Sequence, residues 1–153
     1  MKILGIDPGT SRIGYGLVND RPLTLINYGV LEITDKGNDK LLVLASGLEK
    51  LILDAKPDLA AVEKIFFSTN RKTAIDVAQA RGVILYCLLK HKIAIREYGP
   101  QEVKMAVTSY GLADKKAVAK MVTKLLNVQE ISGHDDASDA LAIAITAANM
   151  NRL

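Results

Sequence analysis

The feature that most constrains this chain is a change of apolar period near residue 40. Before it, three β-forming stretches follow one another with short links: Ile3-Leu4-Gly5-Ile6-Asp7, Ile13 to Val18, and Leu23 to Ile33. The intervening Pro8-Gly9-Thr10 and Asp20-Arg21-Pro22 are turn sequences. Strands joined this closely pair as an antiparallel meander. After the change, Leu41, Leu42, Leu44, Ala45, Leu48, Leu51 and Ile52 recur at helical spacing, and Pro57-Asp58 stops that helix. Leu59-Ala60-Ala61-Val62-Glu63 is apolar until its last residue, which is the composition of a buried parallel strand. Ser68-Thr69-Asn70 reads as a loop and helix cap, and Lys72 to Lys90 as a long helix with apolar positions 74, 75, 77, 78, 84, 85, 88 and 89. Ile93 to Glu97 is a fifth strand. Gly99-Pro100 turns into a short helix over Gln101 to Val107, Asp114 caps a helix reaching Leu126, and Ser132-Gly133 opens a last helix from His134 to about Asn151.

The order βββ-α-β-α-β-α-α-α predicts an α/β fold: a five-stranded mixed sheet, antiparallel meander plus parallel strands, with helices on both faces. Without repeat or linker, residues 1–153 read as one domain, a length that can bury its own core. A composition of 49% hydrophobic and 24% charged residues excludes disorder. The net charge of +3 permits a polyanionic partner and does not demand one. Cys87, the single cysteine, lies in the apolar run Val83 to Leu89 and reads as core. No internal disulfide or thiolate metal site is possible, which suits a reducing cytoplasm. Apolar runs fall far short of the ~18 residues of a membrane span, and the N-terminus has no signal-peptide layout.

Acids at apolar element ends carry the chemical signal. Asp7 ends a strand and precedes Pro-Gly; it reads either as the start of an Asx turn or as a functional carboxylate. Glu63 closes a buried strand, where an acid is costly unless paired or cation-bound; the alternative is a solvated residue beyond the sheet edge. The last helix carries an apolar stripe, Ala137, Ala140, Leu141, Ala144, Ile145 and Ala148, yet Asp135, Asp136 and Asp139 crowd its first turns. Complementing the helix dipole accounts for Asp135 or Asp136 better than for Asp139, a turn further in. Asp136 and Asp139, or Asp135 and Asp139, share one face and repel unless a cation lies between them. Strand ends and a helix start that converge at one sheet edge would make a hard-oxygen cluster fit for Mg²⁺.

Several stretches in order carry a resemblance over nearly the whole chain. Gly5-Ile6-Asp7-Pro8-Gly9-Thr10 with Gly14-Tyr15-Gly16, Glu63-Lys64-Ile65-Phe66, Gln79-Ala80-Arg81-Gly82 and Asp136-Ala137-Ser138-Asp139-Ala140-Leu141-Ala142 together resemble the RuvC family of Holliday-junction endonucleases. The resemblance implies a ribonuclease H-like fold, a homodimer, and paired, symmetric hydrolysis of four-way junction DNA with Mg²⁺, two ions per active site and Mn²⁺ as a substitute. Asp7, Glu63, Asp136 and Asp139 match the family's catalytic, metal-binding acids, with Asp135 as the neighbouring alternative to Asp136. His134 is close enough to assist; as a lone histidine it reads more simply as a surface or cap residue. Phe66 matches an aromatic at the junction crossover, where stacking on an unpaired base contributes ~1–3 kcal/mol; the alternative is that Phe66 and Phe67 are core. Lys104 and Lys115 match basic positions near the scissile phosphate. Arg71, Lys72 and Arg81 are further DNA-binding candidates, and Lys116, Lys120 and Lys124 form a helical stripe that serves equally as a solvated face or a phosphate track. A branch-migration helicase partner, roles in recombination and repair, and a cytoplasmic location are implied as well.

Three rivals share parts of this pattern. Asp7-Pro8-Gly9-Thr10 resembles the phosphate turn of actin-type and sugar-kinase ATP-binding proteins, but those need a second domain that 153 residues do not supply. A nuclease for RNA–DNA hybrids would show similar acids without the Phe66 loop and the Gln79 to Gly82 signature. A non-catalytic junction-binding module would have no use for four carboxylates, which oppose DNA binding unless neutralised.

Overall fold

In the computed structural model the described residues are 1–34, 37, 39–64 and 71–151, the side chain of Arg71 excepted. Strands β1 (Lys2–Asp7), β2 (Arg12–Asp20) and β3 (Leu23–Glu32) form the meander. Helix α1 (Lys40–Ala55), strand β4 (Leu59–Glu63), helix α2 (Arg71–Lys90) and strand β5 (Ala94–Tyr98) follow, then helices α3 (Pro100–Thr108), α4 (Lys115–Leu125) and α5 (Asp135–Met150). The sheet order is β3-β2-β1-β4-β5, with β2 antiparallel to β1 and β3, and β4 parallel to β1 and β5. This is the expected mixed sheet and element order. No helix among the described residues is long and apolar enough to cross a membrane.

Element ends follow local chemistry. Lys56, in the left-handed conformation, ends α1 just before Pro57, which cannot extend a helix. Pro100 starts α3, where its missing N–H costs nothing, and the Glu102 carboxylate accepts from Gly99 N at 2.6 Å. Asp114 caps α4 by accepting from Ala117 N at 2.7 Å.

Strand alternation divides the interior into two cores. Leu4, Ile6, Ile13, Leu17, Ala60 and Val62 face α1 and α2 and pack with Leu44, Leu48, Ile84, Cys87 and Leu88. Ile3, Val18, Leu59 and Ala61 face the other way, toward α5 and the helices around it. Cys87 is fully buried. One part of the apolar reading of α2 fails: Ile75, Ala78 and Leu89 are exposed, because α2 covers the sheet through Ala80, Ile84, Cys87 and Leu88 and turns the opposite face outward.

Helix α5 is the buried centre of its layer, with every residue from Ala140 to Ala148 out of solvent. It lies so close to the sheet that side chains beneath it are excluded. A Cβ at Gly5 would stand 2.0 Å from Ala140 O, one at Gly14 2.0 Å from Asp136 O, and one at Gly16 2.6 Å from the Leu141 side chain. At the first two positions the obstacle is helix backbone, which cannot rotate away. Gly5→Ala is therefore expected to lower the unfolding free energy by at least ~2–3 kcal/mol through overpacking, read as a lower urea midpoint. A midpoint unchanged by Gly5→Ala would refute this account of the α5 contact.

Candidate active site

Period-two alternation delivers each acid to the same side of the sheet. Ile3 and Gly5 of β1 face α5, so Asp7 does too; Leu59 and Ala61 of β4 face α5, and so does Glu63. The parallel register, with Ile6 beside Val62, brings both carboxylates to one edge on neighbouring strands. Helix α5 starts above that edge, because Asp136 O packs over Gly14, the residue opposite Asp7. Asp136 and Asp139, three residues apart, then face the strand ends. All four acids line one cavity of about 390 Å³, walled also by Lys104 of α3 and Lys115 of α4.

The two members of the doublet point to different places. Asp136 lines this cavity, whereas Asp135 is exposed and lines a separate hollow with His134 and Lys120. His134 is the N-cap of α5 but makes no side-chain cap bond; its Nε2 lies 3.8 Å from Glu32 Oε1.

The cavity is short of positive charge at its floor. Burial, then the nearby charges of Glu63, Asp139 and Asp136, push the Asp7 carboxyl up to about 8. Burial and Asp139 likewise push Glu63 up. Two cations offset the α5 pair. Lys115 Nζ donates to Asp139 Oδ2 at 3.0 Å, and this bond holds the Lys115 ammonium above its ordinary range. Arg12 Nε donates to Asp136 Oδ2 at 3.2 Å. Arg12 had no place in the sequence reading. The signal was there in parity, since Arg12 precedes Gly14 and Gly16 on the strand face that meets α5.

Other candidates lie elsewhere. Arg81 is held by Glu97 of β5 and does not line the cavity. Lys72 is exposed in the first turn of α2, and Lys116, Lys120 and Lys124 are exposed on α4 while Val118 and Val122 are buried. Phe66, Phe67, the segment Ser68 to Asn70 and the Arg71 side chain lie outside the described residues.

The donor set fits a hard divalent cation: the acids of the cluster offer carboxylate oxygens only, and desolvation with the neighbouring acids raises the Asp7 carboxyl, the condition an added cation would relieve. Among the described residues no three such side chains are yet gathered closely enough to hold an ion; Asp136 and Asp139 are each drawn to a cation of the chain.

The Asp7 shift has a consequence for stability. Its proton is retained in the folded chain up to about 8 but leaves the unfolded chain near the ordinary 3.8. Between those values the folded state binds the extra proton, so stability falls as pH rises through the window. Without divalent cation, the melting temperature of the native protein should drop from pH 4 to pH 8 relative to that of Asp7→Asn, and saturating Mg²⁺ should restore it at the alkaline end. Parallel melting profiles for the two proteins would show that Asp7 is not the strained group.

Comparisons with known proteins give the family. Residues 3–147 match the family model described as Crossover junction endodeoxyribonuclease RuvC. Proteins of that name from Petrotoga mobilis and Fusobacterium nucleatum are 46% and 42% identical, over 99% and 97% of this chain and 96% and 80% of theirs. A Thermus thermophilus RuvC structure superposes with a TM-score of 0.89 at 30% identity, covering 99% of this chain and 96% of that one. The same protein in complex with Holliday junction substrate gives 0.88 at 28% identity, covering 99% and 95%. The yeast mitochondrial Holliday junction resolvase Ydc2 shares the fold at 15% identity, with a TM-score of 0.71 over 98% of this chain and 78% of that one. With the family model matched over residues 3–147, relatives at 42–46% identity over nearly the whole chain and a shared fold, this chain belongs to the RuvC family of crossover junction endodeoxyribonucleases.

Proposed function

We propose that this protein resolves four-way Holliday junctions by paired, symmetric, Mg²⁺-dependent hydrolysis of DNA phosphodiesters, in recombination and repair. The observation that carries the reading is the joining of Asp7, Glu63, Asp136 and Asp139 with Lys104 and Lys115 in one cavity. An acidic cluster repels DNA unless cations neutralise it, so acids alone would be a poor binding surface. The related structure in complex with a Holliday junction supports the substrate.

In the proposed mechanism the four carboxylates would hold two divalent ions, Mg²⁺ by preference for an all-oxygen donor set and Mn²⁺ as a substitute. When bound, these ions supply the activated water and neutralise the leaving oxygen. The protein's own part is positional and electrostatic. Asp7, on the central strand beside Glu63 and facing the α5 acids, would be one of the residues that hold the metal. Lys104 and Lys115 stand on the cavity wall to meet the charge that builds on the scissile phosphate. Apolar Val103, Val118 and Ile143 limit water around the reacting group. Phe66 is proposed to stack at the crossover, and Arg71 and Lys72 to contact the phosphate backbone. Arg81, ion-paired with Glu97, has less charge to offer DNA.

Two like cuts require two like sites, which a two-fold dimer supplies. The outward face of α2 supports this arrangement. Ile75, Ala78, Gly82, Tyr86 and Leu89 are all exposed at spacings of three and four, with Ile75 69% and Tyr86 and Leu89 each 64% open to solvent. An apolar seam of that length marks an interface. A branch-migration helicase partner and a cytoplasmic location complete the proposal by family resemblance.

A labelled synthetic junction tests the activity. Native protein with Mg²⁺ should nick two opposed strands symmetrically, and Asp7→Asn should lose more than about 100-fold in rate, since even outer-shell changes around metals cost 10–100-fold. Junction binding without nicks under any divalent ion would refute the enzyme reading; equal cutting of plain duplex would refute the junction specificity. For the dimer, Tyr86→Asp with Leu89→Asp should sediment as a monomer where native protein sediments as a dimer. A native monomer at micromolar concentration would refute the assignment of this face.

A further inference from the structure

We infer that Arg12 is a built-in counter-cation of the active site, which occupies Asp136 before a divalent ion arrives and competes with that ion for it. The inference rests on the metal-dependent reading above.

Geometry makes the competition direct. Arg12 lies two residues before Gly14 on β2, on the strand face that meets α5. Asp136 sits over Gly14 with its backbone oxygen and Cβ in close contact with the strand. The close packing blocks the Asp136 backbone from moving further toward β2, so a change of partner falls to its side chain. Turned one way, its Oδ2 accepts from Arg12 Nε at 3.2 Å. The cavity it also lines holds Asp7, Glu63 and Asp139. Among the described residues no three acids are gathered closely enough for an ion, and Asp136 is paired with Arg12 while Asp139 is paired with Lys115. Lys115 belongs to the cavity wall and to the proposed phosphate contacts. Arg12 does not line the cavity and has no part in the proposed chemistry, so neutralising Asp136 is the role its position leaves it.

The contact is also weak enough to be exchanged. Both side chains are partly open to solvent, 41% for Arg12 and 33% for Asp136, and the bond is single rather than a two-pronged fork. A divalent ion with three further carboxylates to draw on outcompetes such a pair. Before loading, the pair spares the cavity part of its like-charge repulsion; on loading, Asp136 is surrendered.

The test is Mn²⁺ binding measured by calorimetry on the full chain without DNA, at neutral pH. Arg12→Gln should bind Mn²⁺ about 3- to 5-fold more tightly than native protein, the worth of one partly exposed ion pair. Lys104→Gln removes one positive charge from the same cavity and should gain clearly less. A melting curve in EDTA checks that each variant is folded, and Arg12→Lys, which keeps the charge, should remain close to native if Arg12→Gln is too unstable to titrate. No gain in Arg12→Gln, or a loss, overturns the inference. An equal gain in Arg12→Gln and Lys104→Gln overturns it too, because total charge and not Asp136 would then decide. Native protein that takes up no Mn²⁺ overturns the proposed metal-dependent function itself, an outcome distinct from native uptake that Arg12→Gln leaves unchanged.

Discussion

The backbone contact between α5 and the central strands governs the rest of this molecule. Gly5 and Gly14 let the helix descend until its carbonyl oxygens meet the strands where a methyl group would not fit. Alanines on the helix answer glycines on the sheet: Ala137, Ala140 and Ala144 are all buried. Close approach of two backbones fixes rotation and height together, since small surfaces interdigitate only in one register. That register is what holds Asp136 and Asp139 over Asp7. A bulkier pair of surfaces would lift the helix and open the acid cluster.

The site is bought with electrostatic strain. Asp7 is half-buried among like charges, and desolvation with those charges raises its carboxyl well above the ordinary range. Lys115 and Arg12 relieve the outer acids, while among the described residues no cation pairs with Asp7 as closely. A cluster in this condition favours an added cation for the same reason that it disfavours ionisation: the negative charge is already gathered in a poorly solvated place. Stability and metal affinity thus draw on one source.

Much of this was legible in the chain. The switch from extended to helical period near residue 40 gave the meander and the alternating units that the sheet order bears out. Acids closing apolar runs marked Asp7 and Glu63, because water-loving groups rarely end buried strands by accident. Sequence pattern does not separate one apolar helix face from another. Ile75 and Leu89 have the spacing of core residues, yet α2 is apolar on two sides and turns both outward. Parity with Gly14 and Gly16 places Arg12 on the face that meets α5, but no local motif names its partner, an aspartate 124 residues away.

By itself the sequence determined the order and kind of the elements, the acids available for chemistry and the family to which the chain belongs. Those properties are written in local periodicity and in motifs a few residues long, which need no knowledge of distant contacts. Only the tertiary structure decided that Asp136 and not Asp135 enters the cavity, that Arg12 and Lys115 attend the α5 pair, and that Arg81 is turned to Glu97. These are choices between neighbours, or pairings across the chain. They depend on how far a helix can sink onto a sheet and at what rotation, and that is set by the summed packing of both surfaces rather than by any one segment.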